Sequence, residues 1–359
     1  MRRTLEIAEL VGAGLVPRER ADALHQVASR WSVALTPGVA SRIDPADPSD
    51  PLARQFVPSE DELRVAPDEL EDPIGDLAHR PRKGIVHRYP DRVLLTPSSA
   101  CAVYCRFCFR RERIGPGGDS LSREELDRAL DYIAGESRIW EVILSGGDPL
   151  VLAPRRLAAI VRRLDAIPHV QVIRVHTRVP AMDPERVTPA LVSALESRKA
   201  VWVVLHANHV RELDAAAREA CARITRAGVP MLAQTVLLAG VNDDPGALEQ
   251  LFRALVAMRV KPYYLHHLDL APGTARFRTS IAAGQELVRG LRGRVSGLCQ
   301  PEYVLDIPGG AGKAPIGPSY LSECDSLGAR VVHDWQGKPH LYSEGSRGRE
   351  AERDEVDGT

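Results

Sequence analysis

Three of the six cysteines of this chain stand within eight positions, in the stretch CAVYCRFCFRR at residues 101–111. Cys101, Cys105 and Cys108 have the spacing C-x3-C-x2-C. Three thiolates can hold three irons of a [4Fe-4S] cube, which leaves the fourth iron open for another ligand. A structural zinc ion would want a fourth protein ligand, and His87 or a distant cysteine is available but no second C-x2-C pair. The spacing therefore favours an iron–sulfur cluster over zinc.

A second motif, LDIPGGAGKAPIGPSY at residues 305–320, places Lys313 behind a run of glycines. A phosphate-binding P-loop is excluded because Ile307 and Ala314 stand where that motif needs glycine and then serine or threonine. A lysine on a flexible glycine arm suits an amine that must reach a cofactor carbonyl. Lys313 is therefore a candidate Schiff-base lysine for pyridoxal phosphate, with a solvated loop lysine as the alternative.

The composition narrows the class of protein. Hydrophobic residues make up 44% of the 359 positions and charged residues 26%, and the formal net charge of -1 gives no basic footprint for nucleic acid. No apolar run approaches the roughly 18 to 20 residues that span a bilayer, so we expect no membrane partner. Cys221, Cys299 and Cys324 are scattered, which favours simple buried packing and a reducing cytoplasm over a disulfide framework.

The elements that must position these residues follow from the hydrophobic patterning. The pattern predicts that residues 1–91 form an N-terminal extension. Its first part is helical, and its second part is irregular and rich in proline and aspartate. Between residues 92 and 280, six β-branched runs alternate with helical patterns about every 30 residues: RVLLTP, WEVILSGG, VQVIRVHT, AVWVVLHA, VPMLAQTVLL and VKPYYLHH. Such a period predicts parallel strands with crossover helices, in a barrel or an open doubly wound sheet.

The polar stretches of the chain follow the ends of these strands, as SSACAVYC, SGGDP, HTR, HANH and HHLDL. Because barrels carry their chemistry on the loops after the strands, this distribution favours a barrel mouth. Residues 281–343 add a helix pattern, a strand PEYVLDI and the lysine loop, and residues 344–359 read as a charged, disordered tail.

The cysteine spacing is the one that radical S-adenosylmethionine enzymes use, and the whole set of motifs resembles the lysine 2,3-aminomutase family over roughly residues 60–340. The motifs that carry the resemblance are HRYPDRVLL, CRFCFRR, SGGDP, QTVLLAGVND, PYYLHHLDL, LRGRVSG and DIPGGAGKAP. It implies an isomerase with an α/β fold, a partial (β/α)6 barrel. Its cofactors would be a [4Fe-4S] cluster, S-adenosyl-L-methionine and pyridoxal 5'-phosphate.

By this resemblance, Cys101, Cys105 and Cys108 ligate the cluster and Lys313 forms the Schiff base. The residues expected beside S-adenosylmethionine are Phe107, Ser145, Gly146, Gly147, Asp148, His206 and Gln234. Those expected around pyridoxal phosphate are Arg88, Tyr89 and Arg92, and guanidinium groups suit a phosphate dianion. Arg110 would pair with the substrate α-carboxylate, and Asp269 and Asp306 with its distal ammonium group.

The implied reaction is the interconversion of L-lysine and β-lysine by 2,3-amino migration, started by a 5'-deoxyadenosyl radical and fed by an electron donor such as flavodoxin or ferredoxin. Three alternatives stay open: another substrate such as arginine, β-lysine formation for modification of elongation factor P, and a non-catalytic iron–sulfur sensor. The stretch YYLHHLD favours the family members that form β-lysine for elongation factor P, whereas the pattern D-x-P-G-G-x-G-K in the lysine loop does not favour them. Only Cys299 and Cys324 remain late in the chain, so we expect no C-terminal cysteine-bound zinc, while a homo-oligomer is left open.

Overall fold

A single sheet of nine strands, running in chain order, organises the computed structural model, which describes residues 5–322 and 329–343. Its strands are β1 (Ile85–Tyr89), β2 (Arg92–Ser98), β3 (Glu141–Gly146), β4 (Val172–Thr177), β5 (Ala200–His206), β6 (Met231–Val236), β7 (Val260–His266), β8 (Glu302–Ile307) and β9 (Gly312–Pro315). Strands β2 to β8 pair in parallel, and β1 and β9 pair antiparallel at the two edges. A separate antiparallel hairpin contains β10 (Ala329–His333) and β11 (Pro339–Ser343).

The six predicted strands are β2 to β7, and the predicted α/β barrel architecture is confirmed. The strand PEYVLDI forms as well, but it joins the same sheet as β8, a seventh parallel strand. No backbone pairing joins β1 to β9 within the described residues. A side chain bridges this opening instead, because the Lys313 backbone N–H donates to the Tyr89 hydroxyl group at 2.8 Å.

Helices lie between the strands and before them. They are α1 (Ile7–Gly12), α2 (Ala21–Arg30), α3 (Pro37–Ala40), α4 (Pro51–Phe56), α5 (Arg123–Gly135), α6 (Pro154–Asp165), α7 (Val179–Met182), α8 (Pro189–Ser193), α9 (Ala215–Arg226), α10 (Pro245–Ala257) and α11 (Ile281–Leu291). A capping box forms at the start of α5, where the Ser122 side chain accepts from the Glu125 N–H. Gly228 has φ +80° just after α9, as expected for a glycine that ends a helix.

Alternation along each strand divides the side chains between the helices and the barrel interior. On β4, Ile173 and Val175 are fully buried, whereas Arg174 and His176 point to the other face and line the interior. On α9, Ala217, Cys221 and Ile224 share one buried face, with the spacing expected for a helix that packs on a sheet. The core therefore lies between sheet and helices and leaves the interior free for polar groups.

The N-terminal extension packs against the cysteine-bearing loop rather than standing apart. The backbone N–H of Tyr104 donates to the Ala34 carbonyl at 3.1 Å, and that of Arg106 to the Gln55 carbonyl at 2.9 Å. The predicted boundary at residues 91 and 92 falls in the turn between β1 and β2, so the extension supplies the first strand of the sheet.

Buried charge strengthens the same contact. Glu62, in the extension, is fully buried and pairs with both Arg106 and Arg111. Although burial alone would raise it, these guanidinium groups hold the pKa of Glu62 at about 2. The carboxylate therefore stays ionised and ties the extension to the loop after β2.

Three further sequence predictions concern membrane-spanning segments, the C-terminal tail and the scattered cysteines. Among the described residues, no helix is both long enough and apolar enough to cross a membrane. Cys324 and the predicted disordered tail, residues 344–359, lie outside the described residues. Cys221 and Cys299 are buried free thiols, as predicted for cysteines that only pack.

Candidate functional site

A cavity of about 860 Å³ lies in the interior of the barrel that the sheet forms. Every predicted site residue lines it: Arg88, Tyr89, Arg92, Cys101, Cys105, Phe107, Cys108, Arg110, Ser145, Gly146, Gly147, Asp148, His206, Gln234, Asp269, Asp306 and Lys313. They come from seven strands, namely β1, β2, β3, β5, β6, β8 and β9, and from the loops that follow β2, β3 and β7. The carboxyl ends of the parallel strands lie at one edge, which brings together the loops that carry the cysteines, Asp148 and Asp269, whereas Arg88 and Lys313 come from the antiparallel edge strands β1 and β9.

The three cysteines lie in the irregular loop after β2, and all three are partly buried free thiols. Burial raises the pKa of the Cys108 thiol to about 11, and it raises that of Cys101 as well. Within residues 5–322 and 329–343, no three His, Cys, Asp or Glu side chains are grouped so that they could hold a metal ion. Three thiols on one cavity wall fit a cluster, which takes each thiolate at a different iron.

The glycines of the SGGDP motif are required by the protein's own packing. A Cβ atom on Gly147 would lie 2.2 Å from the carbonyl oxygen of Ala100, and one on Gly146 would lie 2.7 Å from that of Ser98. Gly146 also has φ +108°. The end of β3 therefore packs directly on the backbone that leads into the cysteine loop. The approach of a ligand to these glycines stays a prediction.

Asp148 connects the ends of β3 and β4. Its buried carboxylate accepts from the Thr177 hydroxyl group at 2.7 Å and from the backbone N–H groups of Arg178 and Leu150. Burial raises the pKa of Asp148, and these hydrogen bonds oppose that effect. Its oxygens are thus engaged within the protein, and contact with a cofactor stays a prediction.

An aromatic and imidazole wall lies beyond the cysteines. The Phe107 ring centroid is 5.9 Å from that of His206 and 6.0 Å from that of Phe277. His206 and Gln234 are cross-strand partners on β5 and β6. Burial lowers the pKa of His206 well below its ordinary value, so the imidazole is neutral. An uncharged aromatic surface of this kind suits an adenine ring.

Lys313 lies on β9, and not on the flexible arm that the glycines suggested. Gly309 and Gly310 have φ +80° and +91° and form the tight turn between β8 and β9, a conformation that favours glycine. Lys313 is the cross-strand partner of Asp306, and its ammonium group donates to the Asp306 carboxylate. The Nδ1 atom of His266 lies 3.5 Å from Lys313 Nζ. The lysine is thereby directed into the cavity.

The two predicted ammonium-binding aspartates differ in charge state. Burial and the neighbouring charge of Asp306 raise the pKa of Asp269 to about 8, and its Oδ1 atom is buried without a hydrogen-bond partner. Burial also acts to raise the pKa of Asp306, but His266 and Lys313 hold it well below its usual range. The cavity therefore provides Asp306 with a neighbouring cation, Lys313, and provides no such ion pair for Asp269.

The arginines predicted to face the cofactor phosphate have carboxylate neighbours. Arg88 donates to the Ile74 carbonyl at 2.5 Å and to Asp76 at 3.2 Å, and it lies 4.0 Å from Asp306. Arg92 pairs with Asp91 at 2.7 Å, and its guanidinium carbon lies 3.9 Å from the Tyr89 ring centroid. Both remain at the cavity wall, and their contact with a phosphate stays a prediction.

Arg110 is held by Asp76 and Ser145. Its Nε atom donates to Asp76 Oδ2 at 2.9 Å, and its Nη1 atom donates to the Ser145 hydroxyl group at 3.2 Å. Asp76 is buried and therefore supports both Arg88 and Arg110 from the N-terminal extension. Sequence reasoning missed Asp76, because it stands in an irregular segment without any pattern that marks it.

Other lining residues escaped prediction although a signal existed. Arg174 and His176 alternate along β4, and Tyr264 and His266 along β7, so each pair shares the inward face. Arg174 pairs with Glu141 at the base of the cavity, with 3.0 Å between Arg174 Nε and Glu141 Oε1. Polar residues at every second position of otherwise apolar strands could have indicated them.

Comparison with known proteins gives two family-model matches. Residues 95–251 match the model of the Radical SAM superfamily, and residues 288–356 match the model described as Lysine-2,3-aminomutase. The chain is 40% identical to L-lysine 2,3-aminomutase of Clostridium subterminale, over 91% of this chain and 78% of the relative. It is 41% identical to that of Acetoanaerobium sticklandii, over 92% and 79%. Glutamate 2,3-aminomutase of Clostridioides difficile is 36% identical, over 88% and 74%.

Proposed function

This chain belongs to the lysine 2,3-aminomutase family of radical S-adenosylmethionine enzymes, and we propose that it interconverts L-lysine and β-lysine by moving the amino group between C2 and C3. The resemblance read from its motifs is confirmed, and an enzyme of this family is an isomerase. The observation that carries the substrate assignment is one cavity with Arg110 on its wall and both Asp269 and Asp306 facing Lys313.

The family uses a [4Fe-4S] cluster, S-adenosylmethionine and pyridoxal phosphate. The chain has residues that fit each of these groups. Cys101, Cys105 and Cys108 fit the cluster, the wall of Phe107 and His206 fits the adenosyl group, and Lys313 fits the pyridoxal carbonyl. When bound, these groups supply a radical that removes a hydrogen atom from the substrate and a carbonyl carbon that carries the migrating nitrogen. The protein then has to bind, orient and exclude water.

Arg110 would bind the α-carboxylate of the substrate. Asp76 and Ser145 hold its guanidinium plane in place, so little side-chain entropy remains to be lost when a carboxylate arrives. Planar donors on a fixed guanidinium recognise a carboxylate with defined geometry. The substrate α-carbon would therefore be placed at a set distance from the cysteine loop, which carries Arg110 two residues after Cys108.

Asp269 and Asp306 would bind the distal ammonium group. A buried carboxylate needs a nearby cation to remain ionised, and the raised pKa of Asp269 reflects the lack of one. Glutamate would bring a carboxylate to this end and be repelled. Arginine is the second candidate, because two carboxylates also suit a guanidinium group, and the assay below distinguishes it from lysine.

Lys313 would attach the cofactor, with Arg88, Tyr89 and Arg92 around its ring and phosphate. The Tyr89 hydroxyl group accepts from the Lys313 backbone N–H, so it fixes the strand that carries the amine. The proposal also includes an electron donor of the flavodoxin or ferredoxin class. It places the protein in a reducing compartment, because reduced thiols are needed to hold the cluster.

The test is an assay of anaerobically reconstituted protein with S-adenosylmethionine, pyridoxal phosphate, a reductant and lysine, arginine or glutamate. We expect β-lysine from lysine and no product from glutamate. Asp306→Asn should raise the KM for lysine strongly while cluster content stays unchanged. Clear conversion of another amino acid, with lysine untouched, would overturn the substrate assignment.

A second measurement addresses Lys313 alone. Lys313→Ala should abolish the imine absorbance that pyridoxal phosphate gives with the wild-type protein and should leave the iron–sulfur spectrum intact. If the imine absorbance survives in Lys313→Ala, another lysine carries the cofactor and the assignment is wrong.

A further inference from the structure

We infer that Arg178 sets the reduction potential of the cluster through a direct hydrogen bond to the Cys105 sulfur. Glu212, on the far side of the Arg178 guanidinium group, opposes this effect. The inference rests on the proposed function in one respect, the assignment of Cys105 as a cluster ligand. It assigns a role to Arg178, which ends the HTR stretch after β4 but received no role from the sequence, and to Glu212, which no sequence motif contains.

The contact itself is short and buried. Arg178 follows β4, and its Nη1 atom donates to Cys105 Sγ at 2.8 Å. Only 8% of the residue is exposed. The guanidinium carbon lies 4.9 Å from the ring centroid of Phe56 and 5.5 Å from that of Phe107, so aromatic faces cover the charge. The positive charge is therefore presented to the sulfur in a largely water-free setting.

Arg178 is held at both its backbone and its side chain. Its backbone N–H donates to Asp148 Oδ2 at 2.7 Å, and its Nη2 atom donates to Glu212 Oε2 at 2.5 Å and to Gln55 Oε1 at 3.3 Å. The guanidinium group cannot swing away from Cys105 without breaking a buried ion pair.

Glu212 is fixed just as firmly. It is fully buried, and its Oε1 atom accepts from the backbone N–H of Asn208 at 2.9 Å, that of His209 at 3.0 Å and the Gln55 side chain at 3.0 Å. Cys105, Arg178 and Glu212 thus form a chain of sulfur, cation and anion in which the cation touches both neighbours.

This order of charges determines the sign of each effect. A cluster that accepts one electron gains one unit of negative charge, which it shares with its thiolate ligands. A hydrogen bond and a positive charge at a ligand sulfur stabilise the reduced form, so the reduction potential rises. Glu212 lies on the far side of the guanidinium group, and its negative charge lowers the potential by a smaller amount because it is more distant.

The experiment is a redox titration of anaerobically reconstituted protein without S-adenosylmethionine, followed by electron paramagnetic resonance of the reduced cluster. Arg178→Met should shift the midpoint potential to a more negative value, and Glu212→Gln, which keeps the shape of the side chain, should shift it to a more positive value. Iron and sulfide analysis of each variant verifies that the cluster is intact.

Arg211→Met is the matched control. Arg211 pairs with another fully buried carboxylate, Asp50, at 2.6 Å, and does not touch a cysteine. We expect the midpoint potential of this variant to equal that of the wild type. A shift as large as that of Arg178→Met would mean that loss of any buried ion pair disturbs the cluster, and it would overturn the inference.

The remaining outcomes are equally decisive. Unchanged potentials in Arg178→Met and Glu212→Gln with full cluster content, or shifts of the same sign in both, would overturn the inference. If Arg178→Met fails to retain its cluster, Glu212→Gln alone tests the inference. A shift of its midpoint potential to a more positive value supports the inference, and a shift to a more negative value overturns it. Failure of the wild-type protein to take up a cluster at all would instead overturn the assignment of the cysteines.

Discussion

Asp306 and Lys313 are cross-strand partners on β8 and β9, and the Lys313 ammonium group donates directly to the Asp306 carboxylate. A residue proposed to bind the substrate is thus paired with the residue proposed to bind the cofactor. The lysine side chain occupies the carboxylate that the distal ammonium group of the substrate would use. Attachment of a cofactor to Lys313 would release Asp306 for the substrate.

A first prediction follows from this competition. Cofactor-free Lys313→Met should bind 1,5-diaminopentane at least about tenfold more tightly than the wild type, because no internal cation has to be displaced from a buried ion pair. Isothermal titration calorimetry measures both affinities. Lys261→Met is the control, since Lys261 is also partly buried but donates to the Pro262 and Gln300 carbonyl groups. Equal affinities in wild type and Lys313→Met would contradict the competition.

A second prediction concerns the pH dependence of substrate binding. Asp269 has a pKa of about 8 without a ligand, so its carboxyl group is protonated below that pH and ionised above it. Binding of an ammonium group requires the ionised form, and affinity for lysine should fall by up to about tenfold per unit as the pH decreases below about 8. Asp269→Asn should weaken binding and remove this slope. The dissociation constant of lysine, measured across this range, would speak against Asp269 if it stayed flat in the wild type.

A third prediction concerns the glycine contact behind the cysteine loop. Gly147→Ala would bring a Cβ atom to 2.2 Å from the Ala100 carbonyl oxygen, so β3 and the loop must separate. We expect a loss of about 1 to 3 kcal/mol in the free energy of unfolding, as for other overpacked sites, together with reduced cluster retention. Gly290→Ala is the matched control, since no atom lies within 4 Å of its added Cβ in α11, and it should be neutral or stabilising. Identical denaturant curves for the two variants would show that the contact is tolerant.

A fourth prediction concerns the buried ion pairs of the N-terminal extension. Glu62→Gln would leave Arg106 and Arg111 without their carboxylate and should reduce the free energy of unfolding at neutral pH by about 3 kcal/mol. Because the pKa of Glu62 is lowered from 4.5 to about 2, its contribution is present above pH 4.5 and disappears as the pH falls toward 2. The difference between wild type and variant should therefore vanish in strong acid. Glu249→Gln, in a surface pair with Arg253, should change stability by less than about 1 kcal/mol.

Much of the cavity could be predicted because its residues stand in short motifs. The cysteine triplet, SGGDP and the lysine loop each keep their residues within about ten positions, so their chemistry can be read locally. The strands could be predicted for a similar reason, since β-branched runs of about six residues recur with a regular period. Lys313 shows where local reading fails. Its glycines suggested a mobile arm, but pairing with β8 makes them a tight turn.

The sequence by itself determined which chemical groups this protein owns: three thiols with cluster spacing, one lysine beside glycines, and the arginine and aspartates of the substrate proposal. Only the tertiary structure decided their partners. Asp76 supports Arg110 across 34 positions, and Arg178 reaches Cys105 across 73. Such contacts depend on how the sheet brings loops together, and no local propensity encodes a pairing between residues so far apart. Charge state and reduction potential follow from those partners, because they depend on burial and on the nearest charges.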